Sequence, residues 1–276
     1  MPTQTEKAAQ FQALHQRNET FVIANPWDAG TARILTALGF KALSTTSAGL
    51  AFTLGKKDGT GSVSRDEALA NARSIVEATE LPVAADLENG YGHRPEDAAE
   101  TIRVAALEAG LVGGSIEDAS GDPGNPIYEF NHAVERVAAA ADAARALPFS
   151  FMLVARAENY LHGRPDLDDT IRRLQAFETA GAEVLYAPGI TRPEDIRTVC
   201  SSVSKPVNVL MGMKGAPPLT VKDLEALGVR RISLGSGFSR AAMTAFLRAA
   251  QEVIDHGTFT FAEDTLYMSE LAILFK

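Results

Sequence analysis

Eight short apolar, β-rich runs recur along this chain, and nearly all are separated by longer stretches of helical periodicity. The runs are FVIAN (21–25), ALSTTS (42–47), PVAADLE (82–88), GGSIED (113–118), FMLVARAE (151–158), EVLYAP (183–188), PVNVL (206–210) and RISLGS (231–236). Between them lie segments such as PEDAAETIRVAALEAG (95–110) and DLDDTIRRLQAFETAG (166–181), where Ile171, Leu174 and Phe177 step by three. These segments open near Asp, Ser or Pro and close at Gly, the ordinary start and stop signals of helices. Gly39, Gly110, Gly181 and Gly228 each fall just before a new run. Strand–helix alternation requires parallel strands joined by right-handed crossovers. Eight units in about 250 residues suit a closed (β/α)8 TIM barrel of the α/β class. An open doubly wound sheet is the alternative, but NPWDAGTA after the first run is not its G-x-G-x-x-G fingerprint. Residues 1–276 are expected to form a single barrel domain with a C-terminal extension over about 256–276. That tail carries Leu266, Leu271, Ile273, Leu274 and Phe275, which would pack on the barrel or dock on a partner subunit.

In such barrels chemistry sits at the C-terminal ends of the strands, and here those ends are polar. The first run leads to Asn25, Trp27 and Asp28, and the second ends in Thr45, Thr46 and Ser47. The third gives Asp86 and Glu88, the fourth Glu117 and Asp118, the fifth Arg156 and Glu158, the sixth Tyr186 and the seventh Asn208. Residues i and i+2 on a strand face the same way, so Asp86 and Glu88 are expected to converge, as are Arg156 and Glu158. Two acids on one side repel unless a proton or cation joins them. Hard oxygen ligands suit Mg2+ or Mn2+, with Glu117 from the adjoining strand completing the set; helix capping or surface pairing is the alternative use of these acids. Arg156, in the apolar setting LVARAE, needs an anion. Either a barrel acid such as Glu158 or a substrate carboxylate held bidentately would serve. Trp27 would wall the pocket or fill core, and Asn208 would bond a distal carboxylate or satisfy neighbouring backbone.

Composition narrows the partners. Net charge is −9 with no basic tract, which argues against nucleic acid and anionic membranes. Cys200 is the only cysteine, so no internal disulfide forms, in keeping with a reducing cytoplasm. No run approaches the ~20 apolar residues of a membrane span, and the first residues lack the apolar core of a signal peptide.

ADLENGYG, taken with TTSAGLAFTLGKKDG, GSIED and VARAE, resembles the isocitrate lyase/phosphoenolpyruvate mutase superfamily in order and spacing over roughly residues 20–240. The resemblance implies a (β/α)8 barrel, one Mg2+, 2-oxo-acid or enolate chemistry, and a homo-oligomer (dimer or tetramer) that often exchanges a C-terminal helix between subunits. Its metal motif falls on Asp86 and Glu88, its Glu-Asp pair on Glu117 and Asp118, its anion-binding Ser-Gly on Thr46 and Ser47 with the N–H of Ala48 next, and its strand-5 arginine on Arg156. By that resemblance Asp86 touches the metal directly, and Asp58, Glu88 and Glu117 hold its waters. The lyases of this superfamily carry K-[KR]-C-G-H after strand 4; here the loop reads EDASGDPGNPIYEF, with neither Cys nor Lys. The mutases' strand-6 histidine falls on Pro188.

The expected function is therefore a Mg2+-dependent carbon–carbon lyase or decarboxylase acting on small 2-oxo or 2-hydroxy di- or tricarboxylic acids through a metal-stabilised enolate. Arg156, Asp58 and Glu117 form the catalytic set, and Thr46, Ser47, Ala48, Asp86, Arg156, Asn208 and Trp27 the substrate-binding set. Tyr91, His93, Tyr186 and Glu158 are candidates for the missing acid or base. A non-enzymatic 2-oxo-acid binding protein, or a Schiff-base aldolase, is the alternative. The aldolase needs a lysine within a strand, and none of the runs holds one in its interior.

Overall fold

The computed structural model describes residues 2–275. Its elements run α1 (Gln4–Gln16), β1 (Phe21–Ile23), α2 (Ala29–Ala37), β2 (Leu43–Ser44), α3 (Ser47–Thr53), α4 (Arg65–Glu77), β3 (Val83–Asp86), α5 (Pro95–Leu107), β4 (Gly113–Glu117) and α6 (Phe130–Arg145). They continue with β5 (Met152–Arg156), α7 (Leu167–Thr179), β6 (Val184–Tyr186), α8 (Pro193–Ser202), β7 (Val207–Leu210), α9 (Val221–Ala226), β8 (Arg231–Ser233) and α10 (Gly237–His256). A 3-10 turn (Thr260–Asp264) and α11 (Met268–Leu274) follow. The eight strands form one parallel sheet in the order β1-β8-β7-β6-β5-β4-β3-β2. The parallel Ala24–Leu43 bridge brings its two ends together. Asn25 strengthens that seam: its amide donates to Ser44 O and Thr45 O, both at 3.0 Å, while its Oδ1 accepts from the N–H groups of Leu234 and Gly235. The chain is thus a (β/α)8 barrel, as the alternation required.

The pleat sorts each strand into two faces. Outward residues such as Val83, Leu153, Leu185 and Ile232 join Ile102, Leu174 and Phe177 of the helices in the main core. Inward residues Ile23, Ala84, Met152, Val154 and Val184 pack with Ala8, Phe11 and Leu14 of α1. The helix α1 therefore lies against the barrel's own interior residues. Gly113 permits the fit, since a Cβ there would stand 2.8 Å from the Phe11 ring. The start of α1 is fixed by a capping box: Thr3 Oγ accepts from Glu6 N–H and Glu6 accepts from Thr3 N–H.

The ladders stop short of the polar residues at the ends of most runs. Only two residues of ALSTTS are strand, and Glu88, Asp118 and Glu158 stand beyond their strands. Helix α10 departs from the barrel pattern. Only Ser239 of its residues is buried, and Phe246 and Ile254 are 76% and 79% exposed. Phe275, just past α11, lies against Gly30 on α2. No described helix is long and apolar enough to cross a membrane.

Candidate active site

Arg156 ends β5 with Glu117 of β4 and Tyr186 of β6 as its register neighbours. Three carboxylates surround its guanidinium. Nη1 donates to Asp86 Oδ1 at 2.9 Å, Nε donates to Glu158 Oε1 at 2.7 Å, and Nη2 lies 3.3 Å from Glu117 Oε2. The Tyr186 ring sits beneath it, 5.1 Å from Cζ. The Arg156, Asp86, Glu117 and Glu158 side chains are only 13%, 17%, 16% and 3% exposed, so water screens them weakly. Burial alone would lower the Arg156 pKa, but Glu158, Asp86 and Glu117 outweigh it and hold the group firmly charged.

Asp86 is the best-supported acid. Ser47 Oγ donates to its Oδ2 at 2.8 Å, and Ser115 Oγ and Glu88 N–H reach Oδ1 at 3.4 and 3.3 Å. Its own N–H donates to Thr45 Oγ1 at 3.0 Å. Burial pushes its carboxyl upward, yet Arg156 and these donors keep it below the ordinary range. The other acids go the opposite way. Burial, with repulsion from Asp86 and Asp58, raises Glu88 to about 7. Burial raises Glu117 well above the usual value, against the pull of Arg156 and with repulsion from Glu158, Asp86 and Glu88. Burial and Asp86 also raise Asp58.

Strand alternation does not bring Glu88 to this cluster. The strand β3 ends at Asp86, and Glu88 sits at φ +48, in the left-handed region rare for residues with a side chain. A turn through Gly90 (φ +82) and Tyr91 (φ +58) carries it instead. Glu158 likewise lies past β5 and reaches Arg156 from a loop. Its N–H donates to Asp118 Oδ1 at 2.8 Å, and Asp118 is held in turn by Arg173 of α7 at 3.1 Å. Asp118 is thus a buried post for Glu158.

Thr46 is the N-cap of α3, its Oγ1 accepting from Gly49 N–H. The Ala48 N–H stands in the first turn of that helix, where no intrahelical partner exists. Trp27 packs against the same turn: a Cβ on Gly49 would stand 2.9 Å from Trp27 Cβ. Asn208 is not brought to the cluster. Its amide donates to Ser233 Oγ and its Oδ1 accepts from Arg231 Nε, deep between β7 and β8. Neither Trp27 nor Asn208 makes a polar side-chain contact with the Arg156 group. Sequence reading also passed over Ser115, Arg173 and Arg231. The inward alternation of GGSIED and RISLGS could have pointed to Ser115 and Arg231; nothing local marked Arg173.

Glu88 and Glu117 also line a cavity of about 800 Å3 walled by Gly59, Tyr91, His93 and Asp122. His93 Nδ1 lies 2.7 Å from Tyr128 Oη, which orients its ring. The 118–128 loop folds back on itself through the Ala119–Ile127 bridge. Lys56 is tied to Glu67 of α4 at 2.5 Å.

Among the described residues no three His, Cys, Asp or Glu side chains stand as a ready metal cage. Asp86, Glu88 and Glu117 as placed are therefore not a direct three-ligand set. The donor chemistry nevertheless fits one hard divalent cation held largely through water. Asp58, Glu88 and Glu117 have raised pKa values beside an ionised Asp86, and one guanidinium leaves their charge incompletely balanced.

A (β/α)8 barrel with buried acids ringed around an arginine at its strand ends has the form of an enzyme barrel built for anionic chemistry. The chain belongs to the phosphoenolpyruvate phosphomutase family, whose profile matches residues 11–254, and so to the phosphoenolpyruvate mutase/isocitrate lyase superfamily. A crystal structure of a provisionally named lyase/mutase from Burkholderia cenocepacia J2315 is similar with TM-score 0.95 and 55% identity, covering 99% of this chain and 96% of that one. An uncharacterised protein of Mycobacterium tuberculosis is 30% identical over 89% of each chain. The 2-methylisocitrate lyase of Escherichia coli is 28% identical over 88% of this chain and 81% of its own.

Proposed function

We propose that this protein is a divalent-metal-dependent enzyme, with Mg2+ or Mn2+, that makes or breaks a carbon–carbon bond next to the 2-oxo or 2-hydroxy group of a small di- or tricarboxylic acid. Arg156 carries the proposal: a buried guanidinium between Asp86, Glu117 and Glu158 at the strand ends of a lyase-type barrel. Relatedness to a 2-methylisocitrate lyase supports carbon–carbon lyase chemistry on carboxylates.

In this reading the substrate carboxylate lies at the first turn of α3, where the Ala48 N–H is a donor, Thr46 fixes the turn and Ser47 Oγ holds Asp86 beside it. Arg156 faces the 2-oxo oxygen, so charge developing there meets a cation already in place. Asp86 would hold the metal directly and Asp58, Glu88 and Glu117 would hold its waters. When bound, the metal supplies a Lewis acid that polarises the 2-oxo group. The 118–128 loop offers neither thiol nor amine, which favours decarboxylation, a step needing no protein base to start. In the lyase direction His93, oriented by Tyr128 on the cavity wall, is the best-placed proton carrier.

Assaying purified protein against a panel of 2-oxo and 2-hydroxy acids, with Mg2+ and with excess chelator, tests this reading. Turnover lost with chelator is expected. Binding without turnover of any member would leave a 2-oxo-acid binding protein instead. The bare apolar surface of α10 further suits a homo-oligomer in which a second copy covers it. Phe246→Glu should then halve the mass measured by light scattering.

A further inference from the structure

The turn between β3 and α5, which carries Glu88 and His93, has its carbonyls taken up by helix side chains. Thr101 of α5 donates to Gly90 O at 2.7 Å, and His132 Nε2 of α6 donates to His93 O at 2.8 Å. The Arg136 guanidinium, also on α6, donates to Asn89 O and to Arg94 O. Arg136 is 1% exposed, and its Cζ lies 4.6 Å from the centre of the Tyr128 ring. Its bonds tie both ends of the turn to α6, and its face holds the Tyr128 ring. The groups around His93 are thereby fixed in place before any ligand arrives.

Hydrogen bonds in this group run in one direction. Tyr91 N–H donates to Asn89 Oδ1 at 3.0 Å, which fixes the amide: the opposite flip would set Asn89 Nδ2 against that N–H and Oδ1 against Ser120 O. Asn89 Nδ2 therefore turns its protons toward Ser120 O and Tyr128 Oη, each at 3.4 Å. With a donor already facing Tyr128 Oη, the hydroxyl proton goes to the other partner, His93 Nδ1 at 2.7 Å. Burial holds the Tyr128 phenol above its ordinary value, against the pull of Arg136, so that proton is present at neutral pH. A neutral imidazole that accepts at Nδ1 carries its own proton on Nε2. Among the described residues Nε2 of His93 has no partner, and the ring walls the cavity that Glu88 and Glu117 share.

We propose that Tyr128 is a positioning residue: with Asn89 it locks neutral His93 as the Nε2–H tautomer, so that His93 offers the cavity a hydrogen-bond donor and no lone pair. A ligand then sets an acceptor oxygen against Nε2, and His93 takes no proton from it. In the lyase direction, a consequence that rests on the function proposed above, His93 gives its Nε2 proton to the enolate carbon while the Tyr128 hydroxyl proton passes to Nδ1. The negative charge ends on the phenolate, whose ring Arg136 covers. The test needs neither substrate nor metal, so it decides the tautomer whether or not the lyase reading holds. The full chain, labelled with nitrogen-15 at histidine, is kept in chelator at about pH 8.5, well above the ~6.5 of an ordinary imidazole. Long-range proton–nitrogen correlation reads the rings, and the signals lost in His93→Gln assign His93. In the wild type Nδ1 should resonate in the imine range and Nε2 in the pyrrole range. Asn89→Asp exchanges the donor amide for an acceptor, draws the Tyr128 proton to the new carboxylate and should invert the two nitrogens. Tyr128→Phe keeps the ring against Arg136 and removes the hydroxyl, so both tautomers should be populated. A wild-type Nδ1 in the pyrrole range overturns the proposal even if neither variant folds. His93 nitrogens left unchanged by Asn89→Asp or by Tyr128→Phe overturn it as well.

Discussion

Replacing Arg156 with Met removes the one cation that faces Asp86, Glu117 and Glu158 at 2.7–3.3 Å, leaving shape roughly intact. Breaking a buried ion pair from one side costs about 3–5 kcal/mol, because the orphaned charge stays buried. Three acids lose their partner together, but they can share the relief of taking up protons. A net loss of about 4 kcal/mol at pH 8 is therefore expected. For 276 residues at ~2.1 cal/mol/K each, the unfolding entropy is about 0.6 kcal/mol/K, so Tm should fall by about 7 °C. The pH dependence carries the diagnosis. Without Arg156, Asp86 loses the main charge that holds its carboxyl low, and Glu117, already raised by burial, rises further. Stability tied to raised carboxyl pKa values is present at low pH and is lost as pH rises through them. The deficit against wild type should thus shrink toward pH 5.5. Millimolar Mg2+ should raise Tm more in Arg156→Met than in wild type, and Arg156→Lys should lie between, having one point charge for three acceptors. Scanning calorimetry at pH 8 and 5.5 reads all of this. An equal loss at both pH values would refute the claim that Arg156 offsets repulsion among these acids.

Asp86→Ala should abolish metal-dependent binding of a 2-oxo acid in titration calorimetry; unchanged affinity would remove Asp86 from the proposed metal site. His15 has a folded pKa near 3 against 6.5 unfolded, so its contribution is whole above pH 6.5 and is lost as pH falls toward 3. From pH 8 to 5 wild type should lose about 2 kcal/mol through this group, a loss absent in His15→Leu when urea midpoints are compared. Gly90→Ala should destabilise by about 2–3 kcal/mol, since φ is +82 and the new Cβ would stand 2.9 Å from Ala98 Cα on α5; a change below 0.5 kcal/mol would show that the turn carrying Glu88 is not rigid.

The barrel was legible because its signal is repeated. Eight apolar runs, the helical periodicity between them and the glycines ahead of new strands all report local backbone preference, and they agree. Polar strand ends were legible for the same reason: in a parallel barrel, polarity collects at one end, so Asp86, Glu117 and Arg156 could be picked out singly. Pairings could not. Glu88 comes to the acids through a left-handed turn at Glu88–Tyr91, whereas strand alternation was the route the sequence suggested. Asn208 reads as a pocket residue until the register sets it beside Arg231 and Ser233, whose bonds consume its amide. The packing of α1 against the barrel interior and the bare flank of α10 were invisible for a related reason: helical periodicity shows that a face is apolar, not what covers it. Sequence alone determined the order of elements and the kinds of side chain at each strand end. Tertiary structure decided which charges share one buried volume, because Coulomb energy and desolvation depend on distances between residues as far apart in the chain as Asp86 and Arg156.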